Sequence, residues 1–207
     1  ENQYEEFVDL VQYDVPITAQ ILNRYKNFNE RVSKNLKIKT VEFTSTKAVK
    51  PYVKPVFDLI NKTYTEIYGF TKLTEDEMTE FAERFLPLLN PKLIKMITDE
   101  NGELLAFVIA MADLSEAIKN SRGRILPFGW ARIFWAMKTS KRLQLLLGAI
   151  HPKYQNKGLD AVLATMLFGS ALKLGFKTVD SHIIMKDNLK MRGEIEKLEG
   201  FNLYKEY

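Results

Sequence analysis

The chain has 207 residues, 46% of them hydrophobic and 27% charged, a profile that excludes intrinsic disorder and provides for one large domain or about one and a half small ones. Its net charge of +4 comes from 30 basic and 26 acidic residues that intermingle without a long basic run, which argues against a nucleic-acid arm and suits an enzyme whose co-substrate carries phosphates. The lack of cysteine excludes disulfides, thiolate metal sites and a Cys nucleophile, and two histidines, His151 and His182, leave no His-rich metal site. No stretch approaches the apolar length of a membrane span, and no metal is expected. The chain opens at Glu1 without a secretory signal, so a cytoplasmic fragment with a natural start further upstream is expected.

EEFVDLVQYDV opens as a short strand, and PITAQILNRYKNFNERVSKN follows as a linker helix, with Pro16 at its start and Ile17, Ile21, Leu22 and Tyr25 at helical spacing. LKIKTVEF (Leu36 to Phe43) alternates as a strand. A helix is predicted from about Lys50 to Tyr68, with an apolar stripe of Val53, Val56, Phe57, Ile60, Tyr64 and Ile67 and with Gly69 as its stop. Thr74 and Glu77 form a capping box for the next helix, which runs to about Leu86. Glu100-Asn101-Gly102 marks the turn of a hairpin, DLSEAIKN a short helix, and GRILPFGWARIFWAM a helix rich in aromatics. RLQLLLGAI is a buried strand, Lys157 to Gly175 a long helix, KTVDSHIIM a strand, DNLKMRGEIEKLEG a short helix and FNLYKEY a final strand.

The entrance to the long helix, HPKYQNKGLDAVL, carries chemistry. A helix start leaves backbone N–H groups unpaired and adds positive potential, which together favour a phosphate. Gly158 removes a side chain that would block a bulky anion and Lys157 adds charge, whereas Asp160 in the first turn opposes an anion. A plain strand-to-helix connection with one glycine is the equally weighted alternative. His182 reads first as a strand histidine with a simple hydrogen bond and second as a general base. Phe128, Trp130, Phe134 and Trp135 read first as core packing and second as the lining of an acceptor or acyl pocket. Glu75, Asp76, Glu77 and Glu80 read as a solvated first turn, and Asp187 and Asn188 as a cap for the following helix.

Ile150, Pro152, Tyr154, Gln155, Gly158 and Leu159 match the pattern V-x-P-x-[YF]-[RQ]-x-x-G-[IL]-[GA], with Asp160 in place of the second small residue. Asn188 and the run Glu196 to Phe201, with Glu199 as one extra residue, are similar to an N…EKLGF ending. On these motifs the chain resembles the GNAT acyltransferase superfamily. FDLINKTYTEIYGFTKLTEDEM, ENGELLAFVIAMADLSEA, GRILPFG and IIMKDNLKM extend the resemblance to a divergent branch in which an incomplete GNAT-like half precedes the C-terminal domain.

The resemblance implies an α/β (α+β) fold with a mixed, mainly antiparallel central sheet flanked by helices and splayed at the strand pair that binds acyl-CoA. Residues 1–35 would be the terminal strand and linker helix of the upstream half, and residues 36–207 the acyltransferase domain. Acetyl-CoA or another acyl-CoA would be held by the strand residues Gly148, Ala149 and Ile150 and by the loop amides of Gln155, Asn156, Lys157, Gly158, Leu159 and Asp160. A small-molecule or peptide amine would attack the thioester directly, so no nucleophilic side chain is needed. The tyrosine that many members carry before the last strand has no counterpart here; Tyr204, Asn188 and Glu196 are the candidates for acid and base. The resemblance also admits a catalytically degenerate binding or interaction module. A tandem aminoacyl transferase of the Fem type, which uses aminoacyl-tRNA, ranks last because the mixed charge offers no nucleic-acid surface.

Overall fold

The computed structural model describes residues 9–65, 67, 69–120, 129–196 and 200–206. Its strands and helices follow the hydrophobic patterning in the order β1 (Leu10–Pro16), α1 (Ala19–Leu36), β2 (Lys39–Glu42), α2 (Thr46–Val49), α3 (Val53–Thr63), α4 (Glu75–Phe85), β3 (Ile94–Thr98), β4 (Leu104–Ala112), α5 (Ser115–Asn120), α6 (Gly129–Thr139), β5 (Arg142–Ile150), α7 (Leu159–Lys173), β6 (Thr178–Asp180), β7 (Ile184–Met185), α8 (Leu189–Ile195) and β8 (Asn202–Glu206). Phe128, the side chain of Trp130, Glu199 and most of GRILPFG lie outside the described residues.

Local chemistry sets several boundaries. The capping box forms in full: the Thr74 hydroxyl accepts from the Glu77 N–H while Glu77 Oε2 accepts from the Thr74 N–H at 2.8 Å. The Asp99 carboxylate closes the β3–β4 hairpin by accepting from the N–H groups of Asn101 (2.9 Å) and Glu103 (2.8 Å). Other boundaries shift. Pro16 ends β1 rather than starting α1, whose cap is Thr18. Lys37, with φ 50°, terminates α1, and β2 starts three residues downstream of the expected Leu36. The helix expected to reach Tyr68 ends at Thr63, so Tyr64 leaves the helix axis and its ring turns to the sheet.

Among the described residues one sheet holds eight strands, in the order β2-β3-β4-β5-β6-β1-β7, with β8 also on β1. Every pairing is antiparallel except β5 with β6. The strand expected over KTVDSHIIM is broken. Asp14 pairs with Asp180 and Val11 with Ile184, so one extra residue enters across Ser181–Ile183, as in a β-bulge, and β6 and β7 are two pieces of one interrupted strand.

Helices cover both faces. Phe57, Ile60 and Met78 of α3 and α4 pack with Ile94, Met96 and Phe107. On the other face, Ile21 of α1 and Leu167 and Phe168 of α7 pack with Val11, Tyr13 and Val15. Alternation along β1 and β3 puts successive residues on opposite faces, so Lys95 points to α7, where its fully buried ammonium donates to Ser170 Oγ at 2.7 Å and pairs with Glu42. The segment expected to belong to an upstream half thus supplies a strand and a helix to this core.

Candidate functional site

β5 and β6 run side by side for only three residues each, Arg142–Gln144 against Thr178–Asp180. Beyond them β5 continues to Ile150 beside β4, whereas β7 follows β1. The strands therefore part and leave the stretch Leu145–Ile150 facing a wedge-shaped slot. Backbone alternation determines which groups it offers. The His151 N–H donates to the Leu105 C=O at 2.8 Å, which makes the Phe107–Ala149 pair hydrogen-bonded and turns the N–H and C=O of Gly148 and Ile150 away from β4. Ala149 spends its polar groups on β4 and its methyl in the core.

The outward groups have partners within the chain. The Tyr64 hydroxyl donates to the Gly148 C=O at 2.9 Å and accepts from the Gly148 N–H at 3.4 Å. Burial pushes this hydroxyl above the ordinary tyrosine range, against the pull of the Gly148 contact. The Gln155 side-chain amide donates to the Ile150 C=O at 3.4 Å. Nothing in the sequence marked Tyr64, whose place in a helical stripe concealed a contact across 84 residues.

At the mouth of the slot, Pro152–Tyr154 form one 3-10 turn, Asn156 takes φ 59°, and Gly158 caps α7 with φ 87° and no side-chain acceptor. The Val162 N–H, bonded to the Gly158 C=O at 3.2 Å, is the first of α7 to bond back along the helix. Gly158 has a packing role that the sequence did not suggest. A Cβ there would meet the Phe28 ring at 2.8 Å and Val32 at 3.0 Å, so the glycine makes room for α1. Positive charge gathers beside the loop. Lys157 lies over the Tyr154 ring at 5.3 Å, and Lys62 contacts His151 Nε2 at 2.6 Å. Burial, followed by the charge of Lys62, holds His151 below its ordinary value, which favours the neutral imidazole.

The three acid–base candidates do not converge. Asn188 caps α8 by accepting from the Met191 N–H at 3.1 Å. Glu196 accepts from the Tyr13 hydroxyl at 2.6 Å, a bond that lowers its carboxyl below the usual range, and from Arg192 at 3.1 Å. Tyr204 stacks over the Arg142 guanidinium at 4.4 Å, beside Gln12 and hence on the sheet face opposite Tyr13. Arg142 begins β5, six residues or about 20 Å from Gly148.

His182 occupies the vertex instead. Gln144 is the last β5 residue paired with β6, and its amide contacts His182 Nδ1 at 3.0 Å. The backbone of His182 is held at φ 62° by two contacts: its N–H donates to Asp180 Oδ1 at 2.8 Å, and its C=O accepts from Ser181 Oγ at 2.8 Å. A non-glycine residue in that conformation, fixed by a buried carboxylate and with an exposed ring, is a strained arrangement of the kind found at functional sites.

Arg142 anchors the closed end of the wedge. Its guanidinium contacts Asp14 at 3.2 Å, Asp113 at 3.6 Å and the buried Asp180 at 2.9 Å, and thereby joins β1, the end of β4 and β6. Burial works against its charge, but the Tyr204 hydrogen bond and these carboxylates outweigh it and raise its pKa. Among the described residues no group of three or more His, Asp or Glu is arranged to hold a metal ion, and no helix is long and apolar enough to cross a membrane.

No protein-family profile matches the chain. A GCN5-related N-acetyltransferase from Sphaerobacter thermophilus superposes on 99% of this chain and 51% of its own with TM-score 0.58 at 10% identity. A tandem GNAT protein from the clavulanic acid biosynthesis pathway covers 98% of this chain and 52% of its own, with TM-score 0.58 at 12% identity. The chain has the GNAT-like fold, with a mainly antiparallel mixed sheet flanked by helices. In sequence it is 25% identical over 161 residues to the bacterial ceramide synthase of Caulobacter vibrioides, covering 75% of this chain and 41% of that protein. It is 26% identical over 157 residues to protein YghO of Escherichia coli, covering 72% and 40%. The match thus spans about two-fifths of the length of these relatives.

Proposed function

We propose that this chain transfers an acyl group from an acyl-CoA thioester to an amine, with residues 36–207 as the acyltransferase domain and residues 1–35 lending it a strand and a helix. The observation that supports this reading is the parting of β5 from β6 and β7, which turns the Gly148 backbone into an open slot beside the N-terminus of α7. The residues fit such a donor in two respects. An amide-containing arm can pair with the Gly148 N–H and C=O once the Tyr64 hydroxyl gives way, and phosphates suit the helix entrance at Gln155 to Asp160 with Lys157 beside it.

Bound acyl-CoA supplies the activated carbonyl. The acceptor nitrogen attacks that carbon, a C–N bond forms as the C–S bond breaks, and the departing thiolate takes up a proton. His182 is assigned the proton lost by the amine. With the Gln144 amide turned so that its oxygen accepts from Nδ1–H, Nε2 presents a lone pair to the slot. The relative named as a ceramide synthase supports a long acyl chain and a lipid-like amine, because ceramide is an amide of a long-chain amino alcohol. Acetyl transfer to a smaller amine is the simpler form of the same chemistry, and a cytoplasmic enzyme is consistent with both.

A second reading, a binding module without turnover, draws on the Tyr64 contact and on the engagement of Asn188, Glu196 and Tyr204 elsewhere. Calorimetric titration with acetyl-CoA, a long-chain acyl-CoA and free CoA, followed by thiol release with a panel of amines, separates the two. Micromolar binding and amine-dependent thiol release that falls ~100-fold in His182→Gln is expected of a transferase with this base. Binding without release selects the module, and no binding at millimolar donor overturns both.

A further inference from the structure

We infer that the α5–α6 face is a docking surface for an anionic phospholipid bilayer. Two aromatics of α6 are not buried as ordinary core packing requires: Phe134 is 56% exposed and Trp135 69% exposed, and Ile118 on the adjoining α5 is 51% exposed. Single exposed apolar residues are common, but here three large ones lie on two helices that pack together.

The charge around this patch identifies its occupant. Lys138 places its ammonium over the Phe134 ring at 4.5 Å. Trp135 lines a cleft of about 990 Å³ together with Lys119, Lys141 and Lys177, which arrive from α5 and from the segments ahead of β5 and β6. Asp113 and Asp180 share that cleft but face Arg142, leaving Glu116 as the acidic counterweight to the three lysines. A protein partner of ordinary composition needs no such pairing of exposed tryptophan and phenylalanine with a ring of flexible cations. The headgroup region of a bilayer does: aromatic rings enter the boundary between headgroups and acyl chains while lysines reach back to lipid phosphates. Several lysines within a Debye length of an anionic leaflet add their attractions.

The cleft lies at the closed end of the wedge, so a bilayer seated there leaves the Gly148 slot open. The inference does not depend on acyl transfer, and its test requires no acyl donor. The chain is sedimented with phosphatidylcholine vesicles and with vesicles containing about one-third phosphatidylglycerol at low salt. Binding to the anionic vesicles at least ~10-fold tighter than to the neutral ones is expected. The double variants Phe134→Ala/Trp135→Ala and Lys138→Glu/Lys141→Glu should each reduce it ~10-fold without changing the melting temperature, because all four side chains are exposed or part-exposed. Quenching of tryptophan fluorescence by brominated lipid should fall in Trp135→Phe. Absence of binding, equal binding to both vesicle types, or binding indifferent to the aromatic pair overturns the inference. So does a concentration-dependent dimer lost in Trp135→Ala without vesicle binding, which would assign the face to a second copy of the chain.

Discussion

At its first residue β5 is fastened to three neighbours by charge, whereas six residues later it faces open space through a glycine. Arg142 reaches Asp14, Asp113 and Asp180 from one position, and Asp180 in turn accepts from Gln12 and from the His182 N–H. At Gly148 the groups turned away from β4 meet the hydroxyl of Tyr64 alone among the described contacts. The two ends show how a sheet can be opened without being weakened. A charge cluster holds the strands together at the vertex, so the backbone beyond it can remain unpaired in a protein that still folds around it.

The sharpest way to break this contrast is to remove the fastening. Arg142→Ala leaves Asp180 buried without its counterion, and a loss of about 3 kcal/mol in unfolding free energy by urea denaturation is expected; a loss below about 1 kcal/mol would show that the three carboxylates do not depend on it. Gly158→Ala comes next. It adds a Cβ 2.8 Å from Phe28 at a φ of 87°, and should cost about 2 kcal/mol. A double-mutant cycle with Phe28→Ala should return part of that loss, because the clash disappears while the backbone strain remains. Additivity of the two changes would move the cause away from the α1–α7 contact.

At the open end, Tyr64→Phe removes the hydroxyl from Gly148 and should tighten acyl-CoA binding about fivefold, the equivalent of one modest hydrogen bond. Unchanged or weaker affinity would mean that Tyr64 supports the slot rather than competing for it. The smallest effect concerns His151. Its folded-state value lies below the ordinary 6.5, so the unfolded chain takes up the proton first. Stability is therefore full above pH 6.5 and declines as pH falls through and below that value. Melting temperatures recorded across this range should show a slope that flattens in His151→Gln.

Much of the architecture was legible in the residues because it depends on short-range rules. The Thr74–Glu77 box, the Asp99 turn, the apolar run of β5 and the long helix after it each require only neighbours within a few positions. The site was legible in outline, since the loop from Pro152 to Asp160 announces itself by its glycine and its place between strand and helix. The contents of the slot were not. Tyr64 looked like one more apolar residue on a helix, and His182, weighed second as a general base, like one residue of a continuous strand.

The sequence alone therefore determined most of the strands and helices, the order in which they come, and the loop that joins β5 to the long helix, because periodicity, caps and turn chemistry are local properties of a chain. Only the tertiary structure decided that Gly158 lies too close to Phe28 for a Cβ, that Arg142 holds the vertex, that Tyr64 reaches Gly148 and that His182 meets Gln144. Each of those depends on residues brought together from distant parts of the chain, and a contact across 84 residues leaves no periodic trace at either end.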